Sequence, residues 1–227
     1  MSGLVNTVKQ NLLGRIFSGK CPPGSNLREA RLAQEFGTSQ ATVRAALQSL
    51  ESDGLVVREP DIGTTVIRLT PNDIRERVDL RCLLEVRAAL AASKRMGPAE
   101  FKELERLRKR MGSFVEKNLY YEEAQADLDF HRYVWTCSAN QTLCNLLERL
   151  TVPLLAFVSV MRASGLEHLP EVVPSHEPMV QALRSRDAAK IKAAFREGAR
   201  STYLDFVNMR GNRAQQAVAF GWLTGHR

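Results

Sequence analysis

The chain has 227 residues, 44% of them hydrophobic and 25% charged, with a formal net charge of +7. That length suits two small domains better than one, and the apolar content supplies cores without disulfide or metal staples. No signal-peptide pattern opens the chain and no CxxC pair or zinc-finger spacing occurs. The longest apolar run, Val152–Met161, contains Pro153 and falls far short of a bilayer span, so the reading is a cytoplasmic protein with reduced thiols and no membrane partner.

Leu4, Val8, Leu12, Ile16 and Phe17 recur at helical spacing and stop at Gly19, before a Pro22-Pro23-Gly24 turn. Leu27–Phe36 predicts a short helix closed by Gly37. Ser39 then caps a third helix that buries Val43, Ala46, Leu47 and Leu50 and ends at Asp53-Gly54. Leu55–Arg58 and Thr64–Leu69, flanking Pro60-Asp61-Ile62-Gly63, read as a β-hairpin. Three helices and a hairpin make a winged helix-turn-helix over 1–69. Thr70, Pro71 and Asp73 restart helix, so 70–75 is a linker and helix start. Apolar periodicity over roughly 74–96, 99–117, 121–138, 142–163, 174–185 and 188–208 predicts an all-helical bundle over 76–208, and Pro153 is expected to kink its helix. The tail, 209–227, has no predicted structure. The fold class is therefore mainly α.

Positive charge is concentrated at the front. Residues 1–44 carry six Lys/Arg against Glu29 and Glu35, whereas residues 45–69 carry Arg58 and Arg68 against four acids. A helix entering the major groove presents its first turns to base edges. The positions so placed are Thr38, Ser39, Gln40, Thr42 and Arg44; Arg44 can hydrogen-bond guanine twice, and Gln40 adenine. Arg28 and Arg31 are expected on phosphates, and the wing tip, Gly63-Thr64, in the neighbouring minor groove. A solvated polar face is the alternative for each residue taken singly.

Ile16-Phe17-Ser18-Gly19, Pro23-Gly24, Leu27, Glu29, Leu32-Ala33, Phe36-Gly37, Ser39, Val43-Arg44, Ala46-Leu47, Leu50 and Gly54-Leu55-Val56 together resemble the winged-helix signature of the GntR family, without a gap from about 8 to 69. The resemblance implies a transcription regulator whose recognition-helix arginine is Arg44. Gln40 and Ala30 stand where arginine is common, as does Ile62 before Gly63, which bears on the preferred operator bases.

In the predicted 121–138 helix, Asp127 and His131 are four residues apart and share a face, a spacing at which carboxylate and imidazole can hold one divalent ion. A plain hydrogen-bonded pair is the alternative. His176 is the third candidate, its alternative being a helix-start residue beside carboxylates such as Glu177. Asp127-Leu-Asp-Phe-His131, Ala139-Asn140, Leu143, His176, Ala182 and Asp187, with Arg81-Cys-Leu-Leu-Glu85 upstream, resemble the FCD ligand-binding domain of the fatty-acid-regulator branch of the same family, over about 74–207. The resemblance implies a helical domain that dimerises and, in many members, holds a metal (of Zn, Ni or Mn type) through one Asp and three His. Asp127, His131 and His176 match; the third histidine falls on Gly198, with His168 in the preceding loop a remote substitute. Arg81 is the expected contact for an effector carboxylate, with an ion pair to Glu85 as the alternative.

These readings describe a homodimer that binds double-stranded DNA at an inverted repeat and answers to a small organic acid or related metabolite. Two others compete. A metal-dependent hydrolase could use Asp127, His131 and His176, although no HExxH, GxSxG or P-loop accompanies them, so an enzyme is not expected. A DNA-binding scaffold with a vestigial sensor pocket is the other, kept open by Gly198.

Overall fold

The computed structural model describes residues 3–60, 62–115, 117, 119–163 and 176–208. The tail from 209 and His168 lie outside the described residues. The elements are α1 (Gly3–Phe17), α2 (Glu29–Glu35), α3 (Gln40–Ser52), β1 (Val56–Glu59), β2 (Gly63–Val66), α4 (Pro71–Ser93), α5 (Pro98–Val115), α6 (Tyr120–Cys137), α7 (Gln141–Ala163), α8 (Glu177–Ser185) and α9 (Ala188–Asn208). The fold is a winged helix-turn-helix followed by a bundle with no strand among its described residues.

Local chemistry sets the boundaries. The Ser39 hydroxyl accepts the Thr42 backbone N–H at 3.1 Å, satisfying a donor the first turn of α3 leaves orphaned. Gly37, at φ +59°, takes the left-handed turn that lets α2 stop two residues earlier. Thr70 and Asp73 form a complete capping box at the head of α4, with Pro71 in the first turn. The hairpin is antiparallel with Val56 opposite Val66 and Glu59 opposite Gly63. β2 ends at Val66, short of the predicted Leu69, with Ile67 N–H still donating in register to the Leu55 carbonyl. An unpredicted third rung comes from the segment before α2: Leu27 N–H donates to Thr64 O, and Val66 N–H to Ser25 O.

One core cluster runs from Leu12, Phe17, Leu47 and Leu55 of the winged helix into Val78, Leu147 and Leu154 of the bundle; a second joins α5, α6, α8 and α9 around Phe130, Val180, Leu183 and Phe195. The winged helix is thus packed on the bundle, mainly on α7. Helix α7 continues through Pro153. Proline has no N–H to give the carbonyl four residues back, which is that of Arg149. Arg77 of α4 supplies the missing donor, its Nη1 lying 3.2 Å from Arg149 O. Gly54, at φ +78°, sits against the same place: a Cβ there would lie 3.0 Å from Arg149 O. The segment Gln141–Arg162 is long and apolar enough by composition to cross a membrane, which amends the expectation that no stretch is. However, 61% of its apolar window is buried in the protein, as in a core helix.

Candidate functional site

The i, i+4 spacing on α6 puts Asp127 and His131 on one inward face, and the chain entering α8 brings His176 against them. His176 Nε2 lies 2.8 Å from Asp127 Oδ1 and 3.2 Å from His131 Nε2, and His131 Nε2 lies 3.7 Å from Asp127 Oδ1. All three residues are buried. A tetrahedral ion bound at about 2.0–2.1 Å separates its ligands by about 3.4 Å. The three observed separations bracket that value, so the donor set fits one face of such a site. Among the described residues these three are the group able to share an ion.

Behind them is a network that spacing does not announce. Glu85 of α4, fully buried, places Oε1 2.7 Å from His131 Nδ1 and 3.2 Å from the Trp135 indole nitrogen. A proton on Nδ1 facing that carboxylate leaves the Nε2 lone pair turned toward Asp127 and His176, the orientation a metal ligand needs. The opposite side of Glu85 receives Arg81 Nε at 3.2 Å, and Arg81 Nη1 donates to the Tyr203 hydroxyl of α9 at 2.5 Å. Burial pushes the Glu85 carboxyl up, but Arg81 and then His131 outweigh it and bring it to about 2. Burial likewise opposes the Asp127 charge, and His131, His176 and Arg81 overcome it, leaving the carboxyl well below the usual range. Arg81, expected on an effector carboxylate, is therefore already held by Glu85 and buried. An acid reaching its fork would have to displace a native partner. The Arg81–Glu85 spacing was visible beforehand; Trp135 and Tyr203 carried no signal, because each meets Glu85 or Arg81 only across the bundle. Glu123, one turn before Asp127 and buried, pairs with Arg162 of α7 at 2.5 Å, and burial raises its carboxyl.

Gly198, where the resemblance implies a third histidine, lies against Met179. A Cβ on Gly198 of α9 would fall 2.0 Å from the Met179 methyl, so the Met179 side chain, buried, occupies the space a histidine there would need. His176 caps α8 and does not turn to Glu177, which pairs with Arg108.

On the winged helix, Gln40 and Arg44 are exposed along α3, while Ser39 and Thr42 share a hydroxyl–hydroxyl contact at 2.9 Å and the Thr38 N–H closes α2 on Ala33 O. Arg44 is held by Glu29: Nε lies 2.9 Å and Nη2 2.7 Å from Oε2, and Arg58 reaches Oε1 at 3.1 Å. The Arg44 guanidinium, followed by Arg58, keeps the Glu29 carboxyl below its ordinary range against some burial. Nη1 of Arg44 stays available for a base edge. Arg28 and Arg31 line a cleft on the α1 side of α2. Thr64, expected at the wing tip, is buried at 6% exposure, because its position in β2 faces the core; Ile62, at 54%, is the exposed residue beside Gly63. The wing turn is fastened by Asn26 Nδ2 donating to Ile62 O at 2.6 Å.

Residues 4–66 match the family described as bacterial regulatory proteins, gntR family, and residues 76–200 match the FCD domain. A probable D-xylose utilization operon transcriptional repressor of Paenarthrobacter nicotinovorans is 30% identical, the alignment covering 81% of this chain and 80% of that protein. A gluconate operon transcriptional repressor of Bacillus licheniformis is 25% identical over 76% of this chain and 72% of its own. The solved structure of E. coli McbR/YncC superposes with TM-score 0.75 at 21% identity, covering 93% of this chain and all (100%) of that one, which speaks for the fold alone. The matched families and relatives are DNA-binding transcription regulators and not enzymes, so the hydrolase reading is set aside. With a winged helix in front and an Asp-His-His cluster inside a helical bundle behind, the chain belongs to the GntR family of bacterial transcription regulators, in the branch that carries an FCD domain.

Proposed function

We propose that residues 1–69 read an inverted-repeat operator as one half of a cytoplasmic homodimer, and that residues 76–208 sense a small organic acid through a divalent ion held by Asp127, His131 and His176. The observation that carries the sensor reading is the convergence of three lone-pair donors at 2.8–3.7 Å, with His131 backed by Glu85. The bound ion supplies a Lewis-acid position to which an effector carboxylate can attach. Glu85 and Arg81 lie on α4, whose capping box begins four residues after the wing strand ends at Val66. Displacement at the cluster therefore has a rigid rod leading to the winged helix.

Dimerisation is supported by Leu80 and Leu83 of α4 and Leu146 of α7, exposed at 50%, 60% and 50% on helices that run side by side where Arg77 meets Arg149. Such a set on a soluble chain is the residue of an unmade contact. At the DNA, Ser39, Gln40, Thr42, Arg44 and the Gly63 turn are the proposed contacts, with Arg44 oriented by Glu29. The names of these relatives, which concern gluconate and D-xylose operons, favour a sugar or sugar acid as effector and repression as the mode of action.

Metal analysis of the purified full-length chain tests the sensor. About one equivalent of a divalent metal is expected, lost in His131→Ala. A metal-free protein that regains no thermal stability with zinc, nickel or manganese, yet still binds its operator, would establish the scaffold reading favoured by Gly198 and Met179.

A further inference from the structure

On the winged helix lies a cleft of about 880 Å³, walled by α1, α2 and the segment before it and bordered on one side by Tyr121 of α6. Its volume falls in the range of about 300–1,000 Å³ usual for small-ligand sites. Four cations line it: Arg15, Lys20, Arg28 and Arg31. Its acid, Glu35, is taken by Arg15 at 2.7 Å. Lys20, Arg28 and Arg31 make no direct ion pair among the described residues, and against the four cations the lining offers the one carboxylate of Glu35, which Arg15 and, at longer range, Arg31 share. The Ser25 hydroxyl, also in the lining, is buried with no hydrogen-bond partner. A buried hydroxyl in that condition is stabilised by a hydrogen-bonding ligand in the cleft. The side-chain amides of Gln10 and Asn11 complete a polar wall.

The cleft is not an extension of the DNA-reading face. At about 100° per residue, Glu29, which holds Arg44, points roughly 100–160° away from Arg28, Arg31 and Glu35 around α2. Its border with the bundle is Tyr121, which packs edge-on against Phe17 at 5.6 Å and lies roughly 9 Å along α6 from Asp127.

We propose that this cleft is a second ligand site, for the phosphate group of a small, hydroxyl-bearing phosphorylated metabolite. Three cations match a dianion, the amides and Ser25 match hydroxyls, and the border at Tyr121 lets occupancy bias how the winged helix sits on the bundle. The site is separate from the buried metal cluster and stands or falls independently of it.

The test uses full-length protein at constant ionic strength, with inorganic phosphate, glucose 6-phosphate and unphosphorylated glucose as probes in calorimetry and thermal-shift assays. Saturable binding of the two phosphates and none of glucose is expected. Affinity should fall at least tenfold in the Arg28→Ala/Arg31→Ala double variant and stay within twofold in Arg58→Ala. Because Arg28 and Arg31 are also the residues expected on DNA phosphates, random-duplex affinity is measured on the same double variant, and the proposal requires the phosphate-ligand loss to exceed any duplex loss at least tenfold. The altered residues are exposed, so melting temperatures without probe report any folding defect directly. Absence of saturable phosphate binding overturns the proposal, as does binding that survives in a folded double variant. A duplex loss as large as the phosphate-ligand loss would make the cations a DNA-backbone strip and overturn it as well.

Discussion

Restoring a histidine at position 198 is the sharpest probe of the metal centre, and its outcome depends on Met179. A Cβ at 198 would meet the Met179 methyl at 2.0 Å but its sulfur at 3.8 Å, so the methyl must move by more than 1 Å to reach ordinary contact. Met179 belongs to the buried cluster that includes Val180, Leu183 and Phe195, so although its terminal methyl can swing away, the added imidazole must still find room there, an overpacking cost of up to about 1–3 kcal/mol. Met179→Ala alone leaves a cavity at a cost of roughly 2–5 kcal/mol. The double variant should destabilise by less than the sum of the two, with a coupling of about 1–3 kcal/mol, because the imidazole refills the space. Structural zinc binding is worth roughly 10–16 kcal/mol over four ligands, or about 3 kcal/mol per ligand, so a well-placed fourth imidazole is worth up to ~100-fold in affinity. Competition against a chromophoric zinc chelator should therefore show tightening of at least tenfold in Gly198→His/Met179→Ala and little or none in Gly198→His. Equal tightening in both would show that Met179 does not hold the corner. No tightening in either would show that residue 198 does not face the ion.

Arg44→Ala should weaken operator binding by about 1–3 kcal/mol and relax base preference, with Glu29→Ala relaxing preference through a guanidinium no longer aimed; an equal loss on random duplex in gel-shift titrations would reduce Arg44 to a phosphate contact. Arg77→Ala should cost about 1 kcal/mol in urea unfolding and much less in a Pro153→Ala background, where the backbone bond to Arg149 O is restored; an unchanged cost would show that the carbonyl is not what Arg77 serves. Asp73 is held below its ordinary range by the Thr70 hydroxyl and N–H, so its contribution is complete above the usual carboxylate range and disappears as pH falls through its folded value. Asp73→Asn should thus flatten the acid side of the stability profile, and two profiles of the same slope below pH 5 would contradict the assignment.

Features that depend on neighbours in the chain could be read directly. Ser39 and the Thr70–Asp73 box cap their helices because both partners sit within three residues. Val43, Ala46, Leu47 and Leu50 face the core because helical period dictates it, and Asp127 and His131 share a face for the same reason. His176 was named as a third candidate and supported by the family resemblance, but no local pattern could join it to the other two. Contacts across the bundle were decided by packing alone: Glu85 behind His131, Arg77 serving the carbonyl that Pro153 orphans, and Met179 lying over Gly198. Each depends on residues tens of positions apart, whose meeting follows from how helices settle against one another, and no periodicity or spacing encodes that choice.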